Sequence, residues 1–178
     1  RTVPEVTRHD GLSMALIIPG VPLLRCVMGV VDSNVDAARE GFVRSLYLRE
    51  GPPDNTTPQL AWVAYQLSGL PSQMPGDSEP PVSRHWQREN AILIPFIANH
   101  SSFPSVSYVS VLRGEVPPEL LRDRLILVGA TAPGMGDRYV TPISTRVGTT
   151  AGIEIQANVL NGLLQGRSIV EVPGWLAA

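Results

Sequence analysis

Residues 124–131, Arg124-Leu125-Ile126-Leu127-Val128-Gly129-Ala130-Thr131, constrain the fold more than any other stretch of the chain. Their apolar run is continuous rather than alternating, the pattern of a strand covered on both faces. Such a strand needs a layer on each side. The expected class is therefore α/β: a central, mostly parallel or mixed sheet flanked by helices, loop-rich and organised as a single domain over residues 1–178. That length suits one domain, and a chain of this size buries roughly 70% of the surface it exposes when unfolded. With 16 Gly and 17 Pro, about a fifth of the chain breaks regular structure, which is high but below the roughly 25–30% at which low-complexity disorder is expected.

The elements around that run follow from local pattern. Residues 12–18 and 27–32 are short apolar runs read as strands, and 42–48 is rich in β-formers. Residues 34–41 are polar and turn-like, and 51–55 form a loop. Thr57-Pro58 reads as a hydroxyl N-cap followed by Pro at the first helical position, opening an amphipathic helix over 58–68 that Gly69 ends. Trp62 is expected to pack on the sheet. Residues 69–90, with Pro71, Pro75, Pro80 and Pro81, are expected to be a long mobile surface loop. A strand over 91–97 is interrupted by Pro95, so it either sits at an edge or bulges there. Ser107 caps a short helix reaching 113, 117–121 is a brief helical turn, and 132–150 is a loop. Residues 152–164 form a helix ended near Gly166.

Charge and cysteine content narrow the function classes. All 14 basic residues are arginine, and 16 acidic residues bring the net charge to −2. No excess of clustered cations supports nucleic-acid binding. The single Cys26 excludes an internal disulfide and a multi-cysteine zinc site; beside Arg25 it reads as a small buried hydrophobe. His9, His85 and His100 stand in unrelated loop-like contexts with no carboxylate at ligand spacing. Asn55-Thr56-Thr57 and Asn99-His100-Ser101 match the glycosylation acceptor pattern, which arises often by chance. No run of about 18 apolar residues is long enough to span a membrane, and no positively charged stretch before an apolar run reads as a signal peptide. The abrupt start at Arg1 and the rising hydrophobicity of 173–178 read as an excised piece of a longer protein.

The candidate chemistry lies around the strongest strand. In 128–137 a Gly-rich turn offers backbone N–H groups to a phosphate. The dinucleotide fingerprint, however, needs a third Gly and an immediate helix, whereas Tyr139 and Pro142 stand here; there is also no Walker lysine. The other reading is that these glycines permit a tight excursion over the sheet edge. Asp137 and Arg138 are either a polar ligand anchor, with Thr131 and Thr141 in the same loop, or a loop-internal ion pair or a carboxylate accepting backbone hydrogen bonds. On the helix, Ile153, Ala157, Leu160 and Leu164 form an apolar stripe. Glu154, Asn158, Asn161 and Gln165 form a narrow polar line that faces either a cavity or solvent.

Several segments in order resemble a known family: 103–108 (Phe-Pro-Ser-Val-Ser-Tyr), 111–117 (Val-Leu-Arg-Gly-Glu-Val-Pro), 125–131, 134–142 (Gly-Met-Gly-Asp-Arg-Tyr-Val-Thr-Pro) and 152–160 (Gly-Ile-Glu-Ile-Gln-Ala-Asn-Val-Leu). Their order and spacing are similar to the type-two CHASE domains, the cyclase- and histidine-kinase-associated sensory extracellular domains. The likeness is specific over about 90–176 and looser over 29–48, with Gly41 and Arg44 in place. It covers the later two-thirds of a family domain. The family helix commonly carries His where this chain has Gln156.

The resemblance implies the sensory part of a bacterial membrane receptor, following one transmembrane helix and preceding others, with a cytoplasmic cyclase or kinase as output. Residues 173–178 would lead into the next span, with Trp175 at the interface. The expected partners are a small-molecule or other extracytoplasmic signal and a second copy of the chain in a membrane-embedded parent. No nucleic acid, no cofactor, no metal and no catalytic residue are expected. The candidate ligand contacts are Thr131, Asp137, Arg138 and Thr141, then Glu154, Asn158 and Asn161. The alternatives are a soluble enzyme or nucleotide-binding α/β domain using the 129–136 turn, and a structural or dimerisation module.

Overall fold

In a computed structural model of the chain, the described residues are 5–7, 13–15, 35–36, 41–52, 56–70, 87–97, 103–132, 137–144, 148–167 and 169. In chain order the elements are β1 (Glu5–Thr7), β2 (Ser13–Ala15), β3 (Val35–Asp36), β4 (Phe42–Val43), β5 (Ser45–Gly51), β6 (Thr57–Pro58), α1 (Leu60–Leu67), β7 (Gln87–Leu93), α2 (Tyr108–Leu112), a 3₁₀ turn (Pro118–Leu120), β8 (Arg138–Tyr139), β9 (Thr150–Ala151) and α3 (Gly152–Leu164).

The class is α/β, as expected, but every strand pairing among the described residues is antiparallel. β1 pairs with β2, β3 with β4 and β8 with β9, while the largest sheet has the order β6-β5-β7. Its register places Leu46 opposite Ile92 and Glu50 opposite Arg88. β5 alternates, burying Leu46 and Leu48 while Ser45, Tyr47 and Arg49 are partly exposed, which is the mark of a sheet covered on one face. The cover is α1 and α3: Val43, Leu46, Leu48, Ile92 and Ile94 of the strands share one buried cluster with Ala61 and Trp62 of α1 and Ile155, Val159, Leu160 and Leu163 of α3. Trp62 therefore packs on the sheet as predicted, with its ring 5.4 Å from that of Tyr65.

Four local expectations are corrected. Thr57-Pro58 does not open the helix. These residues form the edge strand β6 opposite Glu50 and Arg49, where a missing proline N–H costs nothing. Arg49 holds that edge by donating to Thr56 Oγ1 at 3.0 and 3.2 Å and to the Thr56 carbonyl at 3.1 Å. The cap is Gln59, whose side chain accepts from the Leu60 N–H at 3.1 Å. Second, the strand expected over 91–97 starts earlier, at Gln87, and stops at Leu93, before Pro95. The turn-like reading of 34–41 likewise misses β3.

The fourth correction concerns the apolar run 124–131. Residues 125–131 join no ladder, and Leu125, Ile126 and Val128 are exposed; only Leu127 packs against the core. Helix α3 matches its predicted span, and Gly166 ends it with φ +63°. The loop read over 69–90 ends early, because Gln87–Asn90 already belong to β7; its residues 71–86, the strand read over 27–32 and the segment 173–178 lie outside the described residues.

Candidate functional site

Helix α3 is the axis on which the polar candidates are arranged. Its 13 residues make a rod about 20 Å long, with β9 running directly into its first turn. At the N-terminal end the Gly152 N–H donates to the Asp137 carbonyl at 3.1 Å. The Asp137 carboxylate lies over the same glycine, in the space that a Cβ at 152 would need. A carboxylate there is favoured by the positive end of the helix dipole. Glu154 contributes a second one, reaching back to the Ala151 N–H at 3.4 Å, the reciprocal half of a capping box. Ala151 itself has no side-chain acceptor.

Arg138 does not pair with Asp137. Its guanidinium donates to Thr149 Oγ1 at 2.9 Å, to the Thr149 carbonyl and to the Thr131 carbonyl at 3.1 Å. It thus clamps the end of the 125–131 run to the segment entering α3. This is neither the predicted loop-internal ion pair nor a free anchor; the cation is held by carbonyl dipoles, and no described carboxylate neutralises it. Thr141 is fully buried. Its hydroxyl lies 3.0 Å from Thr150 Oγ1 and 3.2 Å from Ser144 Oγ, and its N–H donates to Ser144 Oγ at 2.8 Å. Thr131, Asp137, Arg138 and Thr141 are therefore gathered around the entry to α3.

The predicted polar line on α3 divides instead of converging. Glu154 stays at the first turn. Asn158 is buried, accepting from the Ile97 N–H at 3.0 Å and donating to the Glu154 carbonyl at 2.8 Å, so it fastens the exit of β7 to the helix. Asn161, one turn on, accepts from Gln165 Nε2 at 2.9 Å and borders a surface hollow near the C-terminal end of the helix.

Sequence reasoning missed the roles of four contributors. Gln156 is fully buried, and its Oε1 accepts from the Ala61 N–H at 3.3 Å, capping α1 from across the core. Its Nε2 is buried without a partner. The available signal was a polar residue inside an apolar stripe. Thr149, Thr150 and Ser144 supply the hydroxyls around Arg138 and Thr141, and a Thr-rich stretch before a helix start was their only trace.

Gly129 belongs to packing. A Cβ there would lie 2.6 Å from Ile153 Cβ, so the glycine lets the 125–131 run approach α3 closely. Among the described residues no group of three or more His, Cys, Asp or Glu could hold a metal ion, and no helix is long and apolar enough to cross a membrane. His9, His85, His100, Cys26, Asn55 and Asn99 lie outside the described residues.

Comparison with known proteins adds one finding. The model of the family described as the CHASE2 domain matches residues 15–178, so the likeness extends upstream of the segments that carry it most clearly. No curated protein and no solved structure matches the chain.

Proposed function

The chain belongs to the CHASE2 domain family, and on that premise we propose that it is the extracytoplasmic ligand-sensing domain of a bacterial membrane-bound receptor, passing its signal to a cytoplasmic cyclase or kinase. The family is one of sensory rather than catalytic domains, and CHASE domains are generally extracellular parts of membrane receptors. In this reading residues 1–178 act as one sensor domain, and 173–178 lead into a membrane span. The parent receptor is a homodimer.

The observation that carries the reading onto particular residues is the Arg138 clamp, which joins Thr131 to Thr149 at the entry to α3. A ligand group that competes for Arg138 or for the Thr131 carbonyl frees the 125–131 run from α3. A ligand that bridges them holds the two together. Either one binds the two arrangements unequally, which is the requirement for a population shift. Thr131, Asp137, Arg138 and Thr141 are the first proposed contacts; of the polar line Glu154, Asn158 and Asn161, only Glu154 lies at the same end of α3 and is the second.

The test is the double variant Asp137→Ala/Arg138→Ala in the full-length receptor coupled to a reporter of output. It is expected to reach the membrane at the native level and to lose the response. An unaltered response would remove these residues from the sensing mechanism.

A further inference from the structure

We propose a second binding site, at the opposite end of α3, for a small monocarboxylate with an apolar body. A hollow of about 660 Å³, open to solvent on one side, lies there. Its apolar lining comes from Pro95, Phe96, Ile97 and Ile169, and its polar lining from Asn161 and Arg167.

The hollow exists because of how the helix ends. The Arg167 N–H donates to the Gly162 carbonyl at 2.8 Å and the Gly166 N–H to the Leu163 carbonyl at 3.1 Å, with Gly166 in the left-handed region. This is a Schellman ending, whose seam is usually closed by an apolar contact between the residue two past the cap and the one at the start of the last turn. Here those positions are Arg167 and Gly162, so no such contact forms. Gly162 has no room for a larger residue either, since a Cβ would lie 2.5 Å from Pro95 Cγ.

The walls are fastened before any ligand arrives. Asn158 holds the Ile97 N–H, the Leu93 N–H donates to the Ile169 carbonyl at 2.8 Å, and the Schellman bonds hold the backbone of Arg167, whose exposed guanidinium stays free to turn toward a ligand. Preorganisation of this kind lowers the cost of binding. The donors, by contrast, are unused. No described residue accepts from the Arg167 guanidinium. The Asn161 carbonyl oxygen is taken by Gln165, which leaves its amide N–H groups free. The described lining thus offers N–H donors, one positive charge and no negative charge beside an apolar floor. A guanidinium fork fits a carboxylate, and a single cation matches a singly charged head better than a dianionic phosphate, whose second charge would go unpaired.

The probe is benzoate, titrated into the 178-residue chain by calorimetry, with benzyl alcohol and benzylamine as isosteric controls and amide chemical shifts as the map. Saturable benzoate binding is expected, with shifts at 95–97 and 161–169 and affinities for both controls lower by about tenfold or more. Arg167→Met is expected to weaken benzoate by about tenfold or more without moving the thermal midpoint, and Arg167→Lys to recover part of the loss. Absence of binding up to about 10 mM, shifts that map elsewhere, or an affinity indifferent to Arg167→Met each overturn the site. The site is judged by binding and the sensor reading by the reporter, so failure of one is distinguishable from failure of the other.

Discussion

Two regions of this molecule are alike in apolar content and opposite in burial. In the ribbon and the helices covering it, Leu46, Leu48, Ile92 and Ile155 are no more than 2% exposed. In the segment 103–132 no residue is buried, and Tyr108, Leu112, Ile126 and Val128 are each more than half exposed. Composition does not separate them: Leu125-Ile126-Leu127-Val128 is as apolar as any stretch of β5 or β7. What separates them is a second layer. β5 and β7 have α1 and α3 laid across one face, whereas 125–131 meets the core only through Leu127 and the close approach of Gly129 to Ile153. Hydrophobic stabilisation follows the area removed from water, not the apolar character of the residue that might be covered.

The contrast is sharpest, and easiest to break, at Ile155. Truncation to Ala empties a fully buried position on α3 and is expected to cost about 2–5 kcal/mol in urea unfolding. A loss below about 1 kcal/mol would mean that the helix is not seated as described. A smaller effect is expected where the two regions touch. Gly129→Ala drives a methyl into Ile153, and overpacking of this kind costs about 1–3 kcal/mol. No loss there would show that the 125–131 run is not held against α3. The smallest effect belongs to Val128→Ala, which at 70% exposure is expected to change stability by less than about 0.5 kcal/mol. A cost comparable with that of Ile155→Ala would show that 103–132 is covered in solution, and the comparison would collapse.

What could be read in advance follows the range of the forces involved. Helix α3 was legible because its hydrogen bonds are local and its ending is written in Gly166. The short helix at 108–112 and the turn at 118–120 were legible for the same reason. The error at Thr57-Pro58 has a different origin. The pattern of a hydroxyl followed by proline is a sound helix start, but Arg49 reached across from β5 and held Thr56, just before the edge strand β6, moving the cap to Gln59. The continuous run at 124–131 promised a two-sided strand, and a strand needs a neighbour that no local pattern can supply.

The same division runs through the candidate residues. Sequence alone determined that α3 carries a line of polar groups at helical spacing, that every cation in the chain is an arginine, and that a glycine stops the helix. Only the tertiary structure decided what those groups do. Gln156 caps α1 because Ala61, 95 residues earlier, comes to its side. Asn158 turns inward because Ile97, 61 residues earlier, presents an otherwise unpaired N–H. Asn161 opens on a hollow because Gly162 and Arg167 leave the helix end unsealed. Helix formation is settled within a few residues of chain, but a buried polar group must find its partner wherever packing brings one.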